Sequence, residues 1–413
     1  MAPNSGKSLK SLKNLEVGER HTVTIEKVAH GGHFIARHEG NVIFVRHAIP
    51  GEVVDIEITS TGSSFVRADA VKVVTASPER VSPPCKFAAP QLCGGCDFQH
   101  ISPSYQRFLK AEVIKEQFNR LAKMDTEIEV EEVGGPLNWR TRTISSTDDS
   151  GTIGFYASRT HRVVPVDDCV ILAQEMKFAE LAKKNWPARS RVEISVSGQG
   201  ERTIAIAPAQ RGAKSRITEG PKISHEIIEG HSVEVSQNSF WQSHALAPTV
   251  LSQAVIEHVE IGDHVLDLYG GVGLFTAAVL DRIGATGQVD LIESSRSATQ
   301  DAQRNFAGLS HVRIHTGDVD VEMKKVSGGS LVILDPPREG AGKSVLGQVV
   351  TLRPRAIVYV ACDPAALARD TAYLSDLGYE LASLRAFDLF PMTHHVECVA
   401  RFEPSQKRKN KVS

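Results

Sequence analysis

After Ser236 the chain alternates apolar, strand-like runs with segments of helical spacing, and this alternation restricts the fold more than any other feature. The runs are HVLDLYGG, QVDLIE, VRIHTGD, SLVILDPP and AIVYVACDP, separated by stretches such as LAPTVLSQAVIEHV and AALARDTAYLSDL. Near-continuous apolar strands suit a sheet covered on both faces, and the alternation predicts a doubly wound, mostly parallel α/β sheet of the Rossmann type. Ligands of such sheets bind beyond the carboxyl ends of the strands. Four of the five runs end there in an acid or a cysteine. The functional residues are therefore expected along one edge of this sheet.

The amino-terminal part reads differently. HTVTIEKVA, HFIARHEG, NVIFVR, EVVDIEI and RADAVKVV are short β-branched runs divided by glycine-rich turns, the pattern of a small antiparallel barrel of the OB type. The proline-rich stretch SPERVSPPCKFAAP follows, then three cysteines, then PSYQRFLKAEVIKEQFNRLAKM, whose apolar spacing predicts an amphipathic helix. Trp139 to Cys169 and Arg191 to Ala207 look strand-rich. The organisation implied is a flexible basic tail over 1–13, an OB-like barrel over 14–76, a central α+β domain with the cysteine cluster over 77–235, the α/β domain over 236–404 and a second basic tail over 405–413. The helix at about 103–124 is expected to pack on the α/β domain.

With 47 basic and 49 acidic side chains the net charge of −2 gives no global attraction to a polyanion, so any RNA contact has to come from local patches. Lys7, Lys10 and Lys13 at one end and Lys407, Arg408, Lys409 and Lys411 at the other read as solubilising tails or as weak phosphate steering. The most apolar stretch, Val265 to Leu280, contains Asp267 and several glycines and falls short of the ~20 residues that span a bilayer. With no secretory signal recognisable either, the chain reads as a cytoplasmic protein, expected as a monomer. In a reducing compartment Cys85, Cys93 and Cys96, with their CxxC step, read as metal or iron–sulfur ligands rather than disulfides.

In Val265-Leu-Asp-Leu-Tyr-Gly-Gly-Val-Gly-Leu-Phe275 a strand runs into a glycine turn and a helix, and Gly271 and Gly273 permit close approach of a ligand. A nucleotide-binding oxidoreductase would begin similarly. Glu293, twenty residues after Gly273, can accept both hydroxyls of a ribose, and Asp318 is placed to meet an adenine edge. This set fits S-adenosylmethionine, an adenosine without a pyrophosphate; helix capping is the competing role for each acid. Asp335 opens Asp-Pro-Pro-Arg, a step found in methyltransferases acting on planar nitrogens when an aromatic follows the prolines. Here Arg338 stands in that place, which disfavours amino methylation.

Carbon 5 of uracil takes a methyl group only after a thiolate adds to carbon 6, and a base must then remove the carbon-5 proton. Cys362, at a strand end with Asp363 and Pro364 opening a helix, can supply the thiolate, in a setting expected to lower its pKa. The competing reading is an inert core thiol, which is the reading adopted for Cys398. Glu397, His394 and His395 are all candidates for the base, and residue chemistry alone does not separate them.

Taken together these residues resemble the bacterial TRAM-domain family of RNA uracil-5 methyltransferases, which act on transfer RNA and 23S ribosomal RNA. GGHFIARHEGNVIFVRHAIPGEVV is similar to the TRAM module, CGGCDFQH to the cluster segment and ACDPAALARD to the nucleophile motif, so the resemblance spans nearly the whole chain. It implies Cys362 as nucleophile and, through the terminal His-x-Glu, Glu397 as base. It implies Gln242, Tyr269, Glu293, Asp318 and Asp335 at cofactor or substrate positions, and Phe240 against the target base. Arg140 and Arg142 look like the family's basic strand and can hold phosphates, with a solvated strand face as the competing role. Cys85, Cys93, Cys96 and Cys169 match four ligands of a [4Fe–4S] cluster; thiolates alone suit zinc equally, and the iron comes from the resemblance. Two departures stand out: the first cysteine gap is C-x7-C, and Leu274 replaces an asparagine able to hydrogen-bond the cofactor.

Two other readings are set against this one. A radical methylthiotransferase also joins a TRAM module to an iron–sulfur cluster, but needs a CxxxCxxC loop that this chain lacks. A redox-sensing RNA-binding protein could keep the fold without the activity.

Overall fold

The computed structural model describes residues 15–62, 65–210 and 212–405; the lysines and arginine of the two basic tails lie outside them. The chain falls into two units. One comprises residues up to Gln106 together with Met392–His394, and the other Arg107–Pro391 with the residues from His395 onward.

In the first unit, β1 (Arg20–Ala29), β2 (His33–His38), β3 (Asn41–Arg46), β4 (Val53–Thr61) and β5 (Val66–Thr75) close into a barrel in the order β1-β2-β3-β5-β4. Alternate residues such as Val23, Ile25, Phe34, Ala36, Ile43, Val45, Val54 and Ile56 are buried, as period-2 patterning requires. All neighbours run antiparallel except β3 and β5. The proline-rich stretch is no free linker. Arg80 makes a two-pronged ion pair with the buried Glu52 (2.6 and 2.7 Å) and donates to the His47 carbonyl, while Phe98 packs on Phe34.

The second unit begins within α1 (Pro103–Gln117), which a π-helical turn extends to Ala122. Ala111, Ile114 and Phe118 of this helix share a core with Leu266, Leu334 and Leu367. After the short β6 (Val130–Glu132) come β7 (Arg142–Thr147), β8 (Ile153–Tyr156), β9 (Val163–Pro165), the single turn α2 (Phe178–Leu181), β10 (Ser190–Val196), β11 (Arg202–Pro208) and β12 (Arg216–Glu219). These strands, β6 excepted, form an antiparallel sheet in the order β12-β11-β10-β7-β8-β9, and β13 (Ile223–Ile228) and β14 (His231–Ser236) form a hairpin.

The α/β part follows: α3 (Ala247–Ile256), β15 (His264–Leu268), α4 (Leu274–Ile283), β16 (Gln288–Glu293), α5 (Arg296–Asn305), β17 (Val312–Thr316), α6 (Val319–Glu322), β18 (Leu331–Leu334), α7 (Gly342–Thr351), β19 (Ala356–Ala361), α8 (Pro364–Asp376), β20 (Tyr379–Asp388) and β21 (Glu397–Pro404). Its sheet has the order β17-β16-β15-β18-β19-β21-β20-β6, with the first five strands parallel and β21 antiparallel to both neighbours. Both faces are covered. Val265, Leu291, Ile333 and Val358 point into one core and Leu266, Ile292, Val332 and Ile357 into another, which is why these strands read as unbroken apolar runs. A buried ion pair, Lys110 Nζ to Asp388 Oδ1 at 2.5 Å, ties α1 to the end of β20.

Candidate active site

The strand register brings the two expected catalytic side chains together. β19 and β21 pair antiparallel with Ala361 opposite Cys398 and Val360 opposite Val399. Cys362 follows β19 directly and Glu397 opens β21, so the two lie at the same end of this ladder, close enough that Glu397 acts on the thiol electrostatically. Asp363 caps α8, its carboxylate accepting from the amides of Ala365 and Ala366 at 2.9 Å each, with Pro364 at the first helical position. The two expected residues are thus held by a rigid strand end and a well-capped helix.

The electrostatics differ from the sequence expectation. A helix amino terminus was expected to lower the pKa of Cys362, yet it is pushed up to about 12, first by burial and then by Glu397, Asp335 and Asp363. Only Arg338 acts to lower it. Burial also raises Glu397 well above an ordinary carboxyl, helped by Asp335 and opposed by Arg338. A half-enclosed thiol among carboxyls resists ionisation more than the helix terminus promotes it. Arg338, whose Nη2 lies 3.4 Å from His395 Nε2, is a site residue that sequence reasoning noted only as a missing aromatic. Its loop is fixed by the buried Asp370, which accepts from Tyr359 Oη at 2.7 Å and from the amides of Ala341 and Gly342. No short motif announced Asp370; the acid lies seven residues, about two turns, along α8 from the capping Asp363.

The three base candidates are now distinguished by position. His394 hydrogen-bonds Asp97 at 2.6 Å within the first unit. His395 packs edge-on against Phe390 and faces Arg338. Of the three, it is Glu397 whose charge acts on the Cys362 thiol, and it adjoins Cys398, the partner of Ala361. Cys398 is fully buried, its pKa raised first by burial.

The glycine turn after β15 has the shape of a ligand cradle. Tyr269, Gly271 and Gly273 all have positive φ (64°, 57° and 99°). A side chain at Gly273 would lie 2.3 Å from the Phe306 ring and one at Gly270 2.6 Å from Leu291, whereas Gly271 faces open space. Beneath the turn Asp267 accepts from Thr276 through one oxygen, while its Oδ1 is buried without a partner and its pKa is pushed up to about 6 by burial. Asp335 is pushed up to about 7 by burial and by Asp267. Glu293 accepts from the Gly271 amide (3.1 Å) and from Ser295 (2.5 Å). Asp318 is exposed and, although it precedes α6, makes no side-chain capping bond. An orphaned carboxylate oxygen, two proton-retaining acids and an open glycine suit a ligand that carries positive charge and hydroxyls, as an adenosyl sulfonium does.

Along the Asn238–Gln242 stretch Phe240 is 69% exposed while its neighbour Trp241 is 6% exposed. Gln242 is half-buried. Arg140 lies over Trp139 at 5.9 Å and donates to the Arg142 carbonyl, and Arg142 donates to backbone carbonyls of Gln237 and Ser239. Leu274, the departure noted above, is buried in the core beside Phe275.

The cysteines are less convergent. Cys85, Cys93 and Cys96 occupy one loop of the first unit, where burial and the neighbouring Cys85 raise the pKa of Cys93, and Cys169 belongs to the second unit. Among the described residues no three His, Cys, Asp or Glu side chains form a group able to hold a metal ion. No helix among the described residues is long and apolar enough to cross a membrane.

Comparison with known proteins closes the question of family. The TRAM domain model matches residues 14–71, the span of the barrel, and the tRNA (Uracil-5-)-methyltransferase model matches residues 309–403, which contain Asp335, Cys362 and Glu397. An RNA methyltransferase of Streptomyces avermitilis is 41% identical over 432 residues, covering 95% of this chain and 100% of its own length. One from Corynebacterium glutamicum is 33% identical, covering 94% and 98%. The crystal structure of Pyrococcus abyssi tRNA (uracil-54, C5)-methyltransferase with S-adenosyl-L-homocysteine superposes with a TM-score of 0.70 at 23% identity, covering 92% of this chain and 99% of that one, a likeness of fold. Sequence kinship over the full length and the two matching segments agree that this chain belongs to the TRAM-domain RNA (uracil-5-)-methyltransferases.

Proposed function

We propose that the protein methylates carbon 5 of a uracil in structured RNA, ribosomal or transfer, with Cys362 as covalent nucleophile and Glu397 as base. The observation that supports this most is the pairing of β19 with β21, which ends with Ala361 opposite Cys398 and so brings the adjoining Cys362 and Glu397 near enough to interact electrostatically. Gly271, Gly273, Tyr269, Glu293, Asp318 and Gln242 would hold the adenosyl and amino-acid parts of S-adenosylmethionine, with Asp335 nearer the reacting groups. When bound, that cofactor supplies an electrophilic methyl group. Cys362 loses its proton to solvent and its sulfur bonds to carbon 6, which makes carbon 5 nucleophilic; once carbon 5 carries the methyl group, Glu397 in its carboxylate form, which Arg338 favours, takes the carbon-5 proton and the carbon–sulfur bond breaks, restoring the thiolate. Arg338 favours the thiolate needed at the first step, since it is the one nearby charge that lowers the thiol pKa. Phe240, exposed beside the buried Trp241, is suited to stack on an unpaired base.

The test is the pair Cys362→Ala and Glu397→Gln on unmodified RNA. The first is expected to bind cofactor and transfer nothing. The second is expected to accumulate a denaturation-resistant protein–RNA adduct; a free, methylated product from either variant would remove the assigned role. The iron–sulfur reading of Cys85, Cys93, Cys96 and Cys169 rests on spacing and resemblance alone. Protein purified without oxygen is expected to hold about four irons, and zinc or no metal would end that reading.

A further inference from the structure

The stretch that carries Phe240 and Gln242 is irregular, and two side chains outside it fix its start. From one side Asp301, fully buried on α5, accepts from the Ser236 amide (2.9 Å), the Ser236 hydroxyl (2.6 Å) and the Ser239 hydroxyl (2.6 Å). From the other side Arg142, on β7 of the antiparallel sheet, donates through Nη2 to the carbonyls of Gln237 (3.4 Å) and Ser239 (3.2 Å). Ser239 is thus gripped at both its hydroxyl and its carbonyl, one residue before Phe240. The far end is held as well, by Thr141, whose amide and hydroxyl both donate to the Ser243 carbonyl at 2.8 and 3.1 Å.

The helix that bears Asp301 also reaches the cofactor turn. Asn305 donates to the Val272 carbonyl (3.0 Å) and the Glu234 carbonyl (3.1 Å), and its Oδ1 accepts from the Glu234 amide (2.7 Å). The same helix starts at Ser295, two residues beyond Glu293. Its opposite neighbours, the glycine turn and the β14 end, therefore share one rigid strut.

We propose that Arg142 and Asp301 are positioning residues that set the pose of Phe240 for RNA, and that Arg142 acts through backbone carbonyls instead of through a phosphate. This rests on the reading of Phe240 as the base-stacking residue. A guanidinium spanning two carbonyls cannot be replaced by an ammonium on a longer-ranging stem, so charge alone does not preserve the function. Burial holds Arg142 below its usual pKa, and the carboxylates that face it, Glu226 and Glu193, oppose that only at a distance.

The experiment is steady-state methylation by the full chain with Phe240→Ala, Arg142→Lys, Arg142→Met, Ser239→Ala and the Phe240→Ala/Arg142→Met double variant, each assayed over a salt series. Arg142→Lys and Arg142→Met are both expected to raise the KM for RNA roughly tenfold, with the salt slope of RNA binding unchanged. The double variant is expected to be no worse than Phe240→Ala alone, because residues acting as one unit are non-additive. Ser239→Ala, which deletes one hydroxyl and leaves the sheet intact, is expected to give a smaller rise in the same direction. The proposal is overturned if Arg142→Lys behaves as wild type while Arg142→Met lowers the salt slope by about 0.7–0.9, the mark of a lost phosphate contact. It is also overturned if the two single effects multiply. An unaffected Phe240→Ala would instead remove the base-stacking reading beneath it.

Discussion

Replacing Asp335 by asparagine should make the protein more stable, and by an amount that depends on pH. In the folded chain burial and Asp267 push the Asp335 carboxyl up to about 7 from 3.8. Between those two values the unfolded chain releases a proton that the folded chain retains, so the native state loses stability as pH rises from near 4 towards 7. A shift of roughly three units corresponds to about 4 kcal/mol at and above neutral pH, an upper figure because part of the site is open to solvent. The asparagine variant lacks this loss. Urea denaturation of both proteins between pH 4.5 and pH 8 is expected to show equal midpoints at the acid end and a variant that is progressively harder to unfold towards pH 8. Methylation is expected to fall in the same variant if Asp335 serves the site as proposed. A variant whose advantage stays flat or reverses across that range would refute the reasoning, because it would mean that Asp335 ionises as easily inside the protein as outside it.

Other consequences are direct. Gly273→Ala, whose added carbon would meet Phe306 at 2.3 Å in a left-handed backbone, is expected to weaken cofactor binding at least tenfold by equilibrium dialysis. Lys110→Met strands the buried Asp388 without its partner and should cost about 3–5 kcal/mol in chemical denaturation. Alkylation of Cys362 in the free protein, followed by peptide mass spectrometry, should still be accelerating about tenfold per pH unit at pH 9–10; a plateau below pH 8 would show a thiolate already formed.

The strand ends were legible because apolar runs and the acids that close them are local signals. Glu293, Asp318, Asp335 and Cys362 could each be named from the chain for that reason. What the chain did not disclose depends on partners remote in sequence. The pKa of Cys362 is governed first by burial and then by charges that include Glu397 and Arg338, neither of which is near it in sequence, so the helix terminus was given too much weight. His394, His395 and Glu397 could not be told apart until pairing of β21 with β19 brought the start of β21 beside the end of β19. The carbonyls that Arg142 meets 95 and 97 residues later were invisible too, because a basic residue in a strand shows only its charge. The helix over 103–124 was visible from its periodicity, yet its π turn at Phe118–Ala122 has no such marker.

The ladder between β19 and β21 also sets what this protein can tolerate when it changes. Side chains alternate faces along a strand, so inserting or deleting one residue near the start of β21 would turn Glu397 away from Cys362 and bring Val396 or Cys398 to the thiol instead. The turn before β21 is no looser, since Phe390, Met392 and His394 are held by hydrogen bonds to Lys110, Gln106 and Asp97 respectively. Lineages of this protein should therefore place their insertions and deletions outside both the turn and the strand, and designers who wish to retarget the enzyme have to vary side chains there, not chain length.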